Sequence, residues 1–126
     1  MPDCTIVIAD DDDDFRFTVA EALRSEGAHV IEASGGQAAI AALDQLAGSR
    51  ERAPSLMVMD LMMPVMSGLE ALRCLRRSHR WAQLPVVVMT GVNDQMLPVR
   101  LNVPVVYKPE IDPLLRAVRH IIGVRQ

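Results

Sequence analysis

Aromatic residues are almost missing from this chain: they make up 3% of it, as two Phe, one Tyr and one Trp. A core must therefore be built from Val, Ile, Leu, Ala and Met, and with 50% apolar residues there are enough of them to argue against a disordered chain. Blocks of positive charge are missing too. No run of Lys or Arg is longer than two and the net charge is -3, which argues against a dedicated nucleic-acid surface. No apolar run approaches the length of a membrane span. Asp3 and the aspartates at 10 to 14 break any signal-peptide core. The expectation is a soluble, cytoplasmic protein with no membrane contact. Cys4 and Cys74, the two cysteines, lie in apolar contexts and read as buried inert thiols rather than a disulfide. His29, His79 and His120 are scattered without metal-ligand spacing.

What is present is an alternation of strand-like and helix-like segments over 126 residues, enough for one domain spanning 1–126 with a real core. Apolar runs over Thr5–Ala9, Ala28–Ala33, Ser55–Asp60, Leu84–Thr90 and Val103–Tyr107 predict five strands. Phe15, Val19, Ala22 and Leu23 follow helical spacing, ended by Gly27. Ser34 with Gln37, and Ser67 with Glu70, form capping-box patterns before two further helices. Asp112 followed by Pro113 predicts the start of a last helix. Between the fourth and fifth strands the helical pattern is poor and interrupted by Pro98, so the fourth helix is expected to be short or irregular. The order predicts an α/β fold with a parallel five-stranded sheet.

The chemistry lies where apolar runs stop. They stop at Asp10-Asp11, at Asp60, at Thr90-Gly91 and at Lys108-Pro109. In an open parallel sheet the carboxyl ends of the strands form the functional edge. Three acids, a hydroxyl and an ammonium gathered there suit a divalent cation and a phosphoryl group. Adjacent carboxylates repel unless a cation sits with them, and Mg2+ prefers such oxygen ligands together with waters. Asp12, Asp13 and Asp14 read instead as a solvated acidic helix start, favoured by the helix dipole. A carboxylate such as Asp60 can act as a nucleophile toward phosphorus. Lys108 supplies a point charge for a phosphoryl oxygen, Thr90 a hydroxyl donor, and Gly91 room beside it.

These residues resemble the receiver domain of a two-component response regulator over essentially the whole chain. The motifs are Ile-Ala-Asp-Asp-Asp near the start, Met-Asp-Leu-Met-Met-Pro-Val-Met-Ser-Gly in the middle, then Val-Val-Met-Thr-Gly and Tyr-Lys-Pro. The resemblance implies a flavodoxin-like doubly wound sheet of order 2-1-3-4-5. It implies that Asp60 accepts a phosphoryl group from a histidine kinase or a histidine phosphotransfer protein, and that the phosphate then alters a surface for a downstream protein partner. By the same match, Asp11, Asp60 and the Met62 backbone carbonyl bind Mg2+, with Asp10 reaching it through water. Lys108 pairs with Asp60, Thr90 moves toward the phosphoryl group, and Pro109 follows a cis bond. Self-phosphorylation and self-dephosphorylation are the only chemistry implied, so the module is not an enzyme in the ordinary sense.

Several positions depart from the family pattern. The interval from Thr90 to Lys108 is a few residues short, at the expected fourth helix. Val105 and Val106 occupy the places where the family carries an aromatic coupled to the threonine. Met62 and Val92, in the positions that tune dephosphorylation, are apolar and cannot orient an attacking water, which implies slow self-dephosphorylation. A phosphorylation-independent interaction module is the alternative these departures suggest. An aspartyl-phosphate phosphohydrolase is disfavoured, because Leu61-Met62 puts no acid just after Asp60. Arg73, Arg76, Arg77 and Arg80 read as a solvated helix face, and Arg116 and Arg119 as an outer face open to a partner. With no output segment after residue 126, the expected forms are a single-domain regulator, a phosphorelay shuttle or a receiver cut from a longer chain.

Overall fold

A computed structural model describes residues 3–49, 53–91 and 101–125, with side chains to residue 123. The described elements are β1 (Thr5–Ala9), α1 (Asp13–Arg24), β2 (His29–Ala33), α2 (Gly36–Ala47), β3 (Leu56–Met59), α3 (Gly68–Arg77), β4 (Val86–Thr90), β5 (Val105–Tyr107) and α4 (Ile111–Arg125). Most of the segment expected to carry a short or irregular fourth helix, residues 92–100 with Val92, lies outside the described residues.

All four strand pairings are parallel, in the order β2-β1-β3-β4-β5. The register aligns Ala9 with Met59 and Thr90 with Tyr107, so the strands end together at one edge. Strand alternation splits the core into two layers. Ile6, Ile8, Val58, Val87 and Met89 face α1 and α4, where Val19, Leu23, Leu114 and Val118 meet them. Val7, Met57, Met59 and Val88 face α2 and α3, where Leu43, Leu72 and Leu75 meet them. Burial on both faces is why β1, β3 and β4 read as unbroken apolar runs.

The Ser67–Glu70 capping box is formed as expected: Ser67 Oγ accepts the Glu70 N–H, and the Glu70 carboxylate accepts the Ser67 N–H. The Ser34–Gln37 box is not. The N-cap of α2 is Gly35, with no side-chain cap bond. Helix α2 starts at Gly36, which packs against Met66 so closely that a Cβ would stand 3.0 Å from its Cγ. That start leaves Ser34 one residue too early to cap. The last helix starts at Ile111, so Asp112 lies inside the first turn instead of capping it. Pro113 is tolerated there because first-turn N–H groups have no helical acceptor.

Cys4 is buried, and burial pushes its thiol above its ordinary value against an opposing contact from Ser55. Cys74 is exposed, contrary to the expectation. On α3 the buried stripe is Ala71, Leu72 and Leu75, and a residue next to Leu75 is turned about 100° off that stripe. Arg76 is not simply solvated: its Nη1 donates to the carbonyls of Leu84 at 2.9 Å and Trp81 at 3.3 Å. Trp81 lies in the turn after α3, buried, with its indole N–H on Asp44 at 3.0 Å. Among the described residues no helix is long and apolar enough to cross a membrane.

Candidate functional site

The carboxyl edge is assembled by main-chain bonds that continue the sheet one residue past the strands. The Asp10 N–H donates to Ala33 O at 3.2 Å, the Asp60 N–H to Ala9 O at 3.0 Å, and the Lys108 N–H to Thr90 O at 2.9 Å. The winding of the sheet changes direction between β1 and β3, which makes their carboxyl ends the switch point where α/β folds form a crevice. Asp10, Asp11 and Asp60 meet there.

Asp10 and Asp60 are both nearly buried, at 4% and 6% exposure, while Asp11 faces solvent. One carboxylate oxygen from each of the three lies within 4.8 Å of the others. Lys108 Nζ joins two of them, 2.8 Å from Asp10 Oδ2 and 2.8 Å from Asp60 Oδ2. The remaining oxygens are held by the chain: Asp10 Oδ1 accepts the Asp12 N–H at 2.9 Å, and Asp60 Oδ1 accepts the Met62 N–H at 3.2 Å. The Lys108–Pro109 bond is cis. Thr90 is fully buried at the end of β4. Gly91 is exposed, and among the described residues a Cβ there would meet nothing within 4 Å.

The electrostatics follow from two carboxylates sharing one ammonium. Burial pushes the Asp10 carboxyl up, the Lys108 and Asp12 hydrogen bonds pull it down, and the nearby Asp60 charge adds to the rise. The net direction is upward, because a single cation divided between two acids does not offset desolvation. Burial pulls Lys108 down, but hydrogen bonds to Asp10 and Asp60 and their charges outweigh it, so the ammonium lies above its ordinary 10.5. A cluster with an exposed acid beside two buried ones, all oxygen donors, fits Mg2+, which binds through one or two carboxylates and keeps waters.

The sequence assigns no role at the site to three supporting residues. Arg16 donates to the Asp10 carbonyl at 2.8 Å and to Glu32 on β2 at 3.2 Å, pinning the β1–α1 loop. Its partners are set by the fold, so no local signal marks it. Phe15, which its spacing marks only as helix packing, places its ring 4.8 Å from Lys108 Nζ. Gly68 lets α3 approach β3: a Cβ there would stand 2.2 Å from the Asp60 carbonyl oxygen. A Ser-Gly pair at a helix start is the available signal. The β3–α3 loop also holds Val65 at φ 70, a left-handed conformation rare for a β-branched residue.

Residues 6–103 match the family model described as the response regulator receiver domain. The chain is 37% identical over 90 residues to response regulator RR06 of Streptococcus pneumoniae serotype 2, covering 71% of this chain and 37% of that protein. It is 32% identical over 91 residues to transcriptional regulatory protein CpxR of Escherichia coli, covering 72% and 35%. It thus spans little more than a third of the length of these curated relatives. Among solved structures it superposes on a response regulator receiver protein from Pseudomonas putida with a TM-score of 0.78, at 29% identity, covering 93% of this chain and 96% of that one. The receiver domain of the hybrid histidine kinase CckA gives 0.76 at 26% identity, covering 94% and 98%.

Proposed function

The chain belongs to the receiver-domain family of two-component response regulators, and from that premise we propose that Asp60 accepts a phosphoryl group from a histidine kinase or histidine phosphotransfer protein. One observation carries the reading: Asp60, nearly buried at the switch point, shares the Lys108 ammonium with Asp10 while Asp11 opens the cluster to solvent. An Asp60 carboxylate oxygen attacks phosphorus, the bond to the leaving group breaks, and that group departs with the electron pair. Such transfer depends on positioning and charge neutralisation more than on covalent assistance. Lys108 supplies a fixed cation beside Asp60, and main-chain N–H groups orient both buried acids.

Asp10, Asp11, Asp60 and the Met62 backbone carbonyl are the candidate holders of Mg2+. When bound, Mg2+ would neutralise charge on the transferring group. Thr90 and Gly91 at the end of β4 are assigned to phosphoryl contact and the switch, Lys108 to pairing with the new phosphate, and Pro109 to shaping the Lys108 loop. The phosphate would change the affinity of a surface for a downstream protein, as a population shift driven by a local charge change. Residues 1–126 are read as a single receiver domain.

The test is intact mass after incubation with Mg2+ and acetyl phosphate, for wild type and Asp60→Asn. A gain of one phosphoryl group in wild type alone is expected. No gain, with Mg2+ binding established separately, would turn the reading toward a phosphorylation-independent interaction module. Met62 and Val92 carry apolar side chains at the tuning positions, so the phosphorylated protein is expected to outlast seconds by a wide margin. A time course of mass loss after removal of acetyl phosphate checks this, and decay within seconds would overturn it.

A further inference from the structure

We propose that Phe15 is a positioning residue that holds the Lys108 ammonium over the gap between Asp10 and Asp60; the inference rests on the reading of Asp60 as phosphoryl acceptor. The ring centroid lies 4.8 Å from Lys108 Nζ, inside the roughly 6 Å over which an aromatic face attracts a cation. A lysine ammonium is a strongly hydrated point charge on a flexible stem. Two carboxylates draw it to the sheet edge, and the Phe15 ring adds a third contact.

The ring is itself held in place. Asp12 Oδ1 accepts the Phe15 N–H at 3.0 Å as the N-cap of α1, and the Asp12 N–H donates to Asp10 Oδ1 at 2.9 Å. The ring packs on the core layer that contains Ile8 and Val106. The contacts close a circuit through Asp10, Asp12, Phe15 and Lys108. When Asp60 gains a phosphoryl group, Lys108 exchanges a carboxylate oxygen for phosphoryl oxygens. Asp10 and the ring keep the ammonium at the edge during that exchange. Strand β5 carries Val105, Val106 and Tyr107 before the lysine, yet the ring beside the ammonium is that of Phe15 on α1.

The test compares wild type, Phe15→Leu, which keeps apolar bulk without a π face, and Phe15→Tyr, which restores the face. Two quantities are measured on the full chain. One is the rate of phosphorylation by acetyl phosphate with saturating Mg2+. The other is the chemical shift of the Lys108 ε-methylene protons, identified by their loss in Lys108→Met. The expected result is a rate about two- to five-fold lower in Phe15→Leu, near wild type in Phe15→Tyr, with ring-shifted Lys108 protons in wild type and Phe15→Tyr only. Phe15→Leu reacting at the wild-type rate overturns the proposal. So does a slow Phe15→Leu whose Lys108 protons have not moved, or a Phe15→Tyr as slow as Phe15→Leu. Wild type that takes up no phosphoryl group instead overturns the acceptor reading, and this inference with it.

Discussion

Each end of the sheet anchors a cation, and the two are anchored differently. At the carboxyl edge Lys108 rests on two side-chain carboxylates from separate strands, Asp10 and Asp60. Near the amino edge of β4, Arg76 rests on the main-chain carbonyls of Trp81 and Leu84. Carbonyls are neutral and fixed by the fold, so Arg76 serves to tie α3 to the segment leading into β4. Carboxylates are ionised, can exchange partners and can take a new group. The same type of charge is thus structural at one end and available for chemistry at the other, and the difference lies in what it faces.

Replacing the two cations should separate these roles. Lys108→Met leaves two buried acids without their counter-charge and is expected to cost about 3 kcal/mol or more at pH 7 in chelator, measured by urea unfolding. Because the folded-state value of Lys108 lies above 10.5, its stabilisation is whole below pH 10.5 and is lost as pH rises through that folded value. The gap between wild type and Lys108→Met should therefore close in strong alkali. A gap that widens there would mean the ammonium does not hold the acids. Arg76→Met leaves carbonyls underpaired and is expected to cost about 1–2 kcal/mol, with phosphoryl uptake at Asp60 unchanged. Loss of uptake in this variant would break the division between the two ends. The smallest effect is expected in the β3–α3 loop. Val65 holds φ 70, whereas Asn102, at φ 57, is a residue type suited to that region. Val65→Gly should gain about 1 kcal/mol, the relief of strain less the entropy of glycine. Thermal unfolding checks it, and a loss of stability would show that the Val65 side chain has a contact worth more than its strain.

Strand ends are legible in the sequence because a strand buried on both faces is a plain apolar run, and its end is abrupt. That abruptness marks Asp10, Asp60 and Thr90 as edge residues; Lys108 ends an apolar run too, although β5 is only partly buried. Helix starts are less legible. Ser34 with Gln37 forms a capping-box pattern, yet α2 takes Gly35 as its N-cap and packs Gly36 against Met66. The sequence reads Cys74 as buried and Arg76 as solvated, and the structure corrects both. The phase of α3 against the core exposed the first, and the turn folding back through Trp81 gave the second its acceptors.

The order of elements, the parallel sheet and the identity of the acids, hydroxyl and lysine at its carboxyl edge follow from the sequence alone, because burial and periodicity act over a few residues at a time. Of their partners, the family resemblance implies only the pairing of Lys108 with Asp60. That Lys108 divides its charge between Asp10 and Asp60, that the Phe15 ring stands beside it, and that Arg16 fastens the Asp10 carbonyl to Glu32 were decided by the tertiary structure. These contacts join residues that only the register of the sheet and the packing of α1 bring within reach, and no local pattern encodes that distance.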